Sequence, residues 1–167
     1  MRVLLVDPRD RVLLFRDSDL GLDPVAHWWM TPGGGVDPGE TDVGAALREV
    51  AEETGFRLTA DDLVGPLARR TVVHGYSDVV VEQEEVFWSA RTPHDRISTA
   101  GHTAEEQQSL AGHRWWTRAE LEAHAADAAA EPLWPGRLAE LLDLAASWVP
   151  GLEPADLGTV EESTVPT

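Results

Sequence analysis

The chain contains no cysteine, no lysine and no long apolar run, and it has fewer than half as many basic as acidic residues. Without cysteine there can be no disulfide, no thiolate nucleophile and no cysteine-ligated zinc site. No apolar stretch approaches the roughly 20 residues of a membrane helix, and the N-terminal residues lack a secretory pattern. No membrane is therefore expected as a partner, and the cytoplasm is the expected address. Thirty acidic against 13 basic residues give a net charge of −17. That charge would repel the phosphate backbone, which argues against a nucleic-acid polymer as partner. A small phosphorylated substrate is compatible with it if metal ions mediate between phosphate and carboxylate oxygens. Every basic residue is arginine; a GC-rich coding sequence explains the bias, although arginine also suits bidentate phosphate contacts.

A length of 167 residues fits one domain, and 43% apolar residues with seven tryptophans agree with a packed core. Residues 2–6 and 11–16 read as a hairpin around the turn sequence Asp7-Pro8-Arg9-Asp10. Residues 17–27 read as a loop and 28–31 as a short strand entering a glycine run. Two long strands are expected over 67–74 and 79–90, a polar loop over 91–104 and a further strand over 113–116. Thr117-Arg118-Ala119-Glu120 has capping-box spacing ahead of a helix. Pro135 should open a last helix carrying Leu138, Leu141, Leu142, Ala145, Trp148 and Val149 at helical spacing. The domain is expected to span residues 1–149. Residues 150–167, with four acids, no base and little apolar material, are expected to be a disordered tail.

Chemistry concentrates in residues 34–56, GGVDPGETDVGAALREVAEETGF. A glycine-rich turn and a lone Glu40 lead into an amphipathic helix. Thr41 or Asp42 can cap its start, and Gly55 suits the left-handed position just past its end. On a helical wheel Val43, Leu47, Val50 and Thr54 form one stripe, with Glu49, Glu52 and Glu53 on the opposite side. Arg48 precedes Glu52 by four positions and can pair with it. Taken alone, an acidic helix face is usually just solvated, since like-charge neighbours cost only about 0.2–0.5 kcal/mol each. Lining a cleft, three carboxylates would instead suit a hard cation such as magnesium.

The spacing decides between the two. Gly34, five residues, Glu40, seven residues, Arg48-Glu49-Val50, one residue, Glu52-Glu53, one residue, Gly55-Phe56 resembles the signature of the Nudix hydrolases. Its fixed positions Gly34, Glu40, Arg48, Glu49, Glu52, Glu53 and Gly55 are all present, a coincidence with odds on the order of one in a hundred thousand. Phe56 stands where the family usually carries an aliphatic residue, and both are apolar. Thr31-Pro32-Gly33 and Arg114-Trp115-Trp116-Thr117 also resemble the family, so the likeness extends over most of residues 2–149.

The resemblance implies an α/β fold: an α/β/α sandwich with a mixed sheet and the loop–helix–loop signature at the active site. It implies hydrolysis of a diphosphate linked to another group in a small nucleotide, with Mg2+ or Mn2+ as cofactor. Whether the chain forms a homodimer is left open. Carried over by position, Glu49, Glu52 and Glu53 are metal ligands and Arg48 orients a carboxylate. Gly33, Gly34 and Gly35 let backbone amides approach phosphate, and Arg16 is a further candidate for substrate contact. Glu40 ranks lower, as a structural or secondary ligand. The base that polarises water is a signature glutamate, Glu49 or Glu53, or a glutamate from a distant loop. Glu106 is that loop candidate, although Thr103-Ala104-Glu105-Glu106 equally fits a capping box. Glu85 is second, against the plainer reading that its acidic strand segment is a wet sheet face.

Trp28 or Trp29 could stack on a base, but core packing is the commoner use, as it is for Trp134 and Trp148. The six histidines show no zinc spacing. ADP-ribose-cleaving members carry a proline where this chain has Thr71 and Val72, and the coenzyme A and NADH branches carry motifs absent here, which leaves nucleoside triphosphates or another nucleoside diphosphate derivative open as substrate. A non-catalytic Nudix module that binds a nucleotide is the alternative, and the full set of signature carboxylates weighs against it. Isopentenyl diphosphate isomerase, which shares the fold, is set aside because it uses a cysteine.

Overall fold

Val3 and Leu5 turn to one side of the first strand and Leu4 to the other, and this alternation lays out the molecule. A computed structural model describes residues 1–104 and 106–167, the side chain of Glu106 excepted. The elements run β1 (Arg2–Val6), β2 (Val12–Asp19), β3 (Ala26–Met30), α1 (Asp42–Thr54), β4 (Leu63–Gly75) and β5 (Val80–Arg91). They continue with α2 (Glu106–Ser109), β6 (Gly112–Trp116), α3 (Arg118–Ala125), β7 (Leu133–Trp134), α4 (Leu138–Ser147) and β8 (Ala155–Glu161).

The hairpin of β1 and β2 is splayed. The two strands pair only at Val6 and Val12, next to the turn in which the Asp7 carboxylate accepts the Arg9 and Arg11 backbone N–H groups. Beyond it β1 runs parallel to β5, while β2 pairs antiparallel with β6 and β3. One mixed sheet results, in the order β7-β3-β2-β1-β5-β4-β8 with β6 beside β2. On one face Val3, Leu5, Leu13, Phe15, Val86 and Trp88 pack with Ala45, Ala46 and Val50 of α1. On the other, Leu4 and Phe87 meet Leu141 of α4, and Val12, Leu14 and Trp116 meet Leu121 of α3 and Leu138 of α4. Each such side chain contributes about 1.5–3 kcal/mol, so both faces of the sheet are committed to core. The result is an α/β/α sandwich.

Several boundaries differ from the sequence pattern, among them the start of β4, at Leu63 rather than 67. The strands β2 and β3 extend into the expected loop, leaving only residues 20–25 between them. Pro135 follows β7 rather than opening α4, which starts at Leu138 behind Arg137. The largest difference lies at the C-terminus, where disorder was the expectation and a strand is found. β8 adds in parallel to the outer edge of β4. Composition missed it because its anchors are few: Leu157 enters the core beside α4, and Glu162 meets the buried guanidinium of Arg70. An edge strand draws its stability from backbone pairing, so a polar sequence can supply one.

Candidate active site

The signature helix is held at both ends as its sequence demands. The Thr41 hydroxyl accepts the Gly44 N–H at 3.0 Å, and Gly55, at φ 76°, returns its own N–H to the Ala51 carbonyl. Between these caps the buried face is rotated from the apolar stripe of the wheel. Ala45, Ala46, Val50 and Thr54 are buried, but so are Glu49 and Glu53, at 8% and 7% exposure. Of the three glutamates only Glu52 stands half exposed.

The glycine loop makes room for those two carboxylates. A Cβ on Gly34 would lie 2.4 Å from Glu49 Oε1, so a side chain there would displace the carboxylate. Gly33 adopts φ +139°, where a Cβ would strike the Met1 carbonyl at 2.0 Å, and it donates its N–H to Glu53 Oε2 at 2.8 Å. The close approach expected of these glycines is thus to the chain's own groups. Gly35 has open space around it and gives its carbonyl to Arg48.

Arg48 ties the acidic residues together. Its Nε and Nη2 reach the two oxygens of Glu40 at 3.1 and 3.0 Å, while Nη1 reaches Glu49 at 2.8 Å and Glu52 at 3.1 Å. Asp37 lies 3.8 Å away. Hydrogen bonding from Arg48 holds Glu40 below the usual carboxylate range, and Glu40 in turn raises Arg48. Glu40 also accepts the Asp37 N–H at 3.1 Å, so it orients Arg48 and closes the turn. The donor set Glu49, Glu52 and Glu53 fits a hard divalent cation in kind, being all carboxylate oxygen. Among the described residues no three acidic or histidine groups converge on one point as they stand. Arg48 sits between Glu49 and Glu52, so a cation needs Glu52 to swing from the guanidinium, and its exposure leaves it free to do so.

Other expected residues fall in different places. Arg16 engages Glu131 through Nε at 2.8 Å and through Nη2, so its fork already holds a carboxylate. Besides Arg48, Arg2 also meets the glycine loop, its Nη1 reaching the Thr31 and Gly33 carbonyls at 3.4 and 3.3 Å. Nothing in the sequence singled it out, because it is brought there by the pairing of the start of β1 with the loop, Val3 N–H on the Pro32 carbonyl and the Met1 amino group on the Gly34 carbonyl. Glu85 is neither a wet surface residue nor a base. It is 2% exposed, and although burial opposes its charge, Arg2 and Arg70 hold its pKa down to about 2. Trp28 is buried and stacks on Trp134 at 4.6 Å, and Trp29 meets Trp116 edge-on at 5.1 Å.

The side chain of Glu106 lies outside the described residues, but residues 98–102 of the preceding loop are placed. Ser98 donates its N–H to the Thr54 carbonyl at 2.8 Å, and His102 Nε2 lies 2.9 Å from the Glu53 carbonyl. A Cβ on Gly101 would lie 2.3 Å from the Glu52 carbonyl. The loop therefore covers the C-terminal turn of the signature helix. His102 was missed because a lone histidine in a polar loop carries no spacing signal.

Comparison with known proteins identifies the family and the architecture. The family description "NUDIX domain" matches residues 1–135. A putative 8-oxo-dGTP diphosphatase of Bacillus subtilis (strain 168) is 36% identical over 67 residues, covering 40% of this chain and 41% of that protein. The dihydroneopterin triphosphate diphosphatase of Escherichia coli (strain K12) is 31% identical over 102 residues, covering 56% of this chain and 65% of the relative. The alignments thus span less than two thirds of either relative. The solved structure of the E. coli dihydroneopterin triphosphate pyrophosphohydrolase superposes with a TM-score of 0.56 at 23% identity, over 87% of this chain and 92% of that one. The architecture is shared with it.

Proposed function

The chain belongs to the Nudix family, and on that premise we propose that it hydrolyses the pyrophosphate linkage of a small nucleotide, a nucleoside triphosphate or a related nucleoside diphosphate derivative. One observation carries this reading: the face of α1 that presents Glu49, Glu52 and Glu53 is packed against a side-chain-free glycine loop and tied by the single guanidinium of Arg48. The named activities of two relatives, on 8-oxo-dGTP and on dihydroneopterin triphosphate, support a heterocyclic triphosphate. The net charge of −17 supports a small substrate over a polymer.

Members of the family typically use divalent metals, and Glu49, Glu52 and Glu53 are the residues that would hold Mg2+ or Mn2+ here. When bound, such an ion neutralises charge on the bridging and leaving phosphate oxygens. The chain's own groups do the rest. Arg48 orients Glu49, and the Gly33 N–H orients Glu53. A carboxylate takes a proton from the water that attacks phosphorus, and the P–O bond to the leaving phosphate breaks. Glu106 is our assignment for that base, from the position of its loop over the end of α1. Glu106→Gln should lower turnover on the order of 10²–10⁴ with little change in melting. A full-rate variant returns the role to Glu49 or Glu53.

The test of the whole reading is a panel of 8-oxo-dGTP, dihydroneopterin triphosphate, the common nucleoside triphosphates, nucleotide sugars and dinucleoside polyphosphates, assayed with and without Mg2+. Metal-dependent release of phosphate or pyrophosphate is expected from at least one triphosphate. Binding without turnover across the panel would replace hydrolysis by a non-catalytic nucleotide module.

A further inference from the structure

Four charged side chains connect the C-terminal segment to the glycine loop, and the chemistry above uses none of them directly. Glu162, just past β8, accepts Nη1 and Nη2 of Arg70 at 2.8 and 2.7 Å. Arg70 donates Nε to Glu85 Oε2 at 2.7 Å. The other oxygen of Glu85 accepts Arg2 Nε, also at 2.7 Å. Arg2 then turns Nη1 to the Thr31 and Gly33 carbonyls. Between those carbonyls lies the Pro32–Gly33 peptide. Its oxygen accepts the Val3 N–H at 2.9 Å, and its N–H is the one given to Glu53.

The series is dry and balanced. Side-chain exposures are 13% for Arg2, 3% for Glu85, 4% for Arg70 and 11% for Glu162, two cations against two anions. Water only partly replaces a partner lost from so buried a series, so a change at one end is passed along it. Glu162 is itself fixed: its carbonyl lies 2.6 Å from His74 Nδ1, and its carboxylate also accepts the Gly136 N–H at 2.9 Å.

We propose that Glu162 is a positioning residue of the active site, acting through Arg70, Glu85 and Arg2 to hold the Thr31–Gly33 loop so that the Gly33 N–H fixes the Glu53 carboxylate. Its catalytic consequence rests on the hydrolase reading above; its structural consequence does not. With Glu162 present, Glu85 divides its oxygens between the two arginines. Without that charge Arg70 draws Glu85 to itself, Arg2 loses its carboxylate, and the loop carbonyls lose a fixed donor.

The test measures amide hydrogen exchange in the full chain for wild type, Glu162→Gln and Arg2→Lys, taking the fully buried Leu14 as reference. Arg2→Lys keeps the charge and loses the fork. In both variants Gly33 exchange should speed about tenfold or more relative to Leu14. On whichever substrate the panel identifies, kcat should fall about tenfold with KM nearly unchanged. Should Glu162→Gln fail to fold, Glu162→Asp, which keeps the charge but is too short for the two-point contact with Arg70, takes its place, with a smaller rise of Gly33 exchange over Leu14 expected. An unchanged ratio of Gly33 to Leu14 exchange overturns the proposal, because Glu162 then only ties down a strand. Equal acceleration at both amides overturns it too, since that is global loosening. If wild type hydrolyses nothing in the panel the hydrolase reading fails, while the Gly33 exchange still decides whether Glu162 positions Glu53.

Discussion

Two clusters of arginine and carboxylate lie on either side of the glycine loop, built from the same residue types for opposite ends. Around Arg48 a single guanidinium faces four carboxylates, those of Asp37, Glu40, Glu49 and Glu52, with Arg48 about a quarter exposed. Around Glu85 the charges match, Arg2 and Arg70 against Glu85 and Glu162, and almost no water reaches them. A surplus of negative charge at a half-open site is relieved by a cation, so the first cluster is suited to bind one. A neutral buried cluster gains nothing from a further ion and resists losing a member. Charge balance and burial therefore separate the two roles where residue type does not.

The comparison breaks most visibly if the buried cluster tolerates loss. Glu85→Gln leaves two guanidiniums short of a partner and should cost about 3–5 kcal/mol, measured by urea denaturation at pH 7. The cost should depend on pH. The folded pKa of Glu85 is depressed to about 2 from 4.5, so its contribution is complete above about pH 4.5 and is lost as pH falls through about 2. The difference between wild type and variant should accordingly shrink across that window. A gap that stays constant from pH 7 to pH 2.5 would show that Glu85 is not held ionised by its arginines.

The open cluster should behave in the reverse manner. Glu52→Gln should lower metal-dependent hydrolysis by on the order of 10² or more while leaving metal-free stability within about 0.5 kcal/mol, because like-charge repulsion is relieved. Added Mg2+ should raise the melting temperature of wild type and not of the variant. Equal metal stabilisation of both proteins would remove Glu52 from the ligand set.

The smallest effect belongs to a site outside both clusters. The Thr117 hydroxyl accepts the Glu120 N–H at 3.2 Å, and Glu120 returns to the Thr117 N–H at 2.8 Å, starting α3. Thr117→Ala should cost about 1 kcal/mol in thermal unfolding and leave hydrolysis unchanged. A loss of turnover there would mean that α3, on the far side of the sheet, is coupled to the glycine loop.

Local rules made part of this legible in the sequence. The caps Thr41, Gly55 and Thr117 act on groups within four residues, and the alternation of Val3, Leu4 and Leu5 is a property of any strand, so both could be read without a fold. The spacing of Glu49, Glu52 and Glu53 fixed them on one helix and pointed to the family. The burial of two of them was hidden, because it depends on how closely a distant glycine loop approaches α1. Arg16 and Arg2 look equivalent as arginines on neighbouring strands. The loops that the fold lays beside each strand give one to Glu131 and the other to the glycine loop. The tail was misread for a related reason: residues 155–162 carry too little apolar surface to fold alone, and they acquire structure only where β4 offers an open edge and Arg70 a buried charge. Short-range geometry and motif spacing were determined by the sequence itself. Which charges became neutralised, buried or left in excess was decided by the tertiary structure, since electrostatic environment depends on neighbours the chain brings from far away.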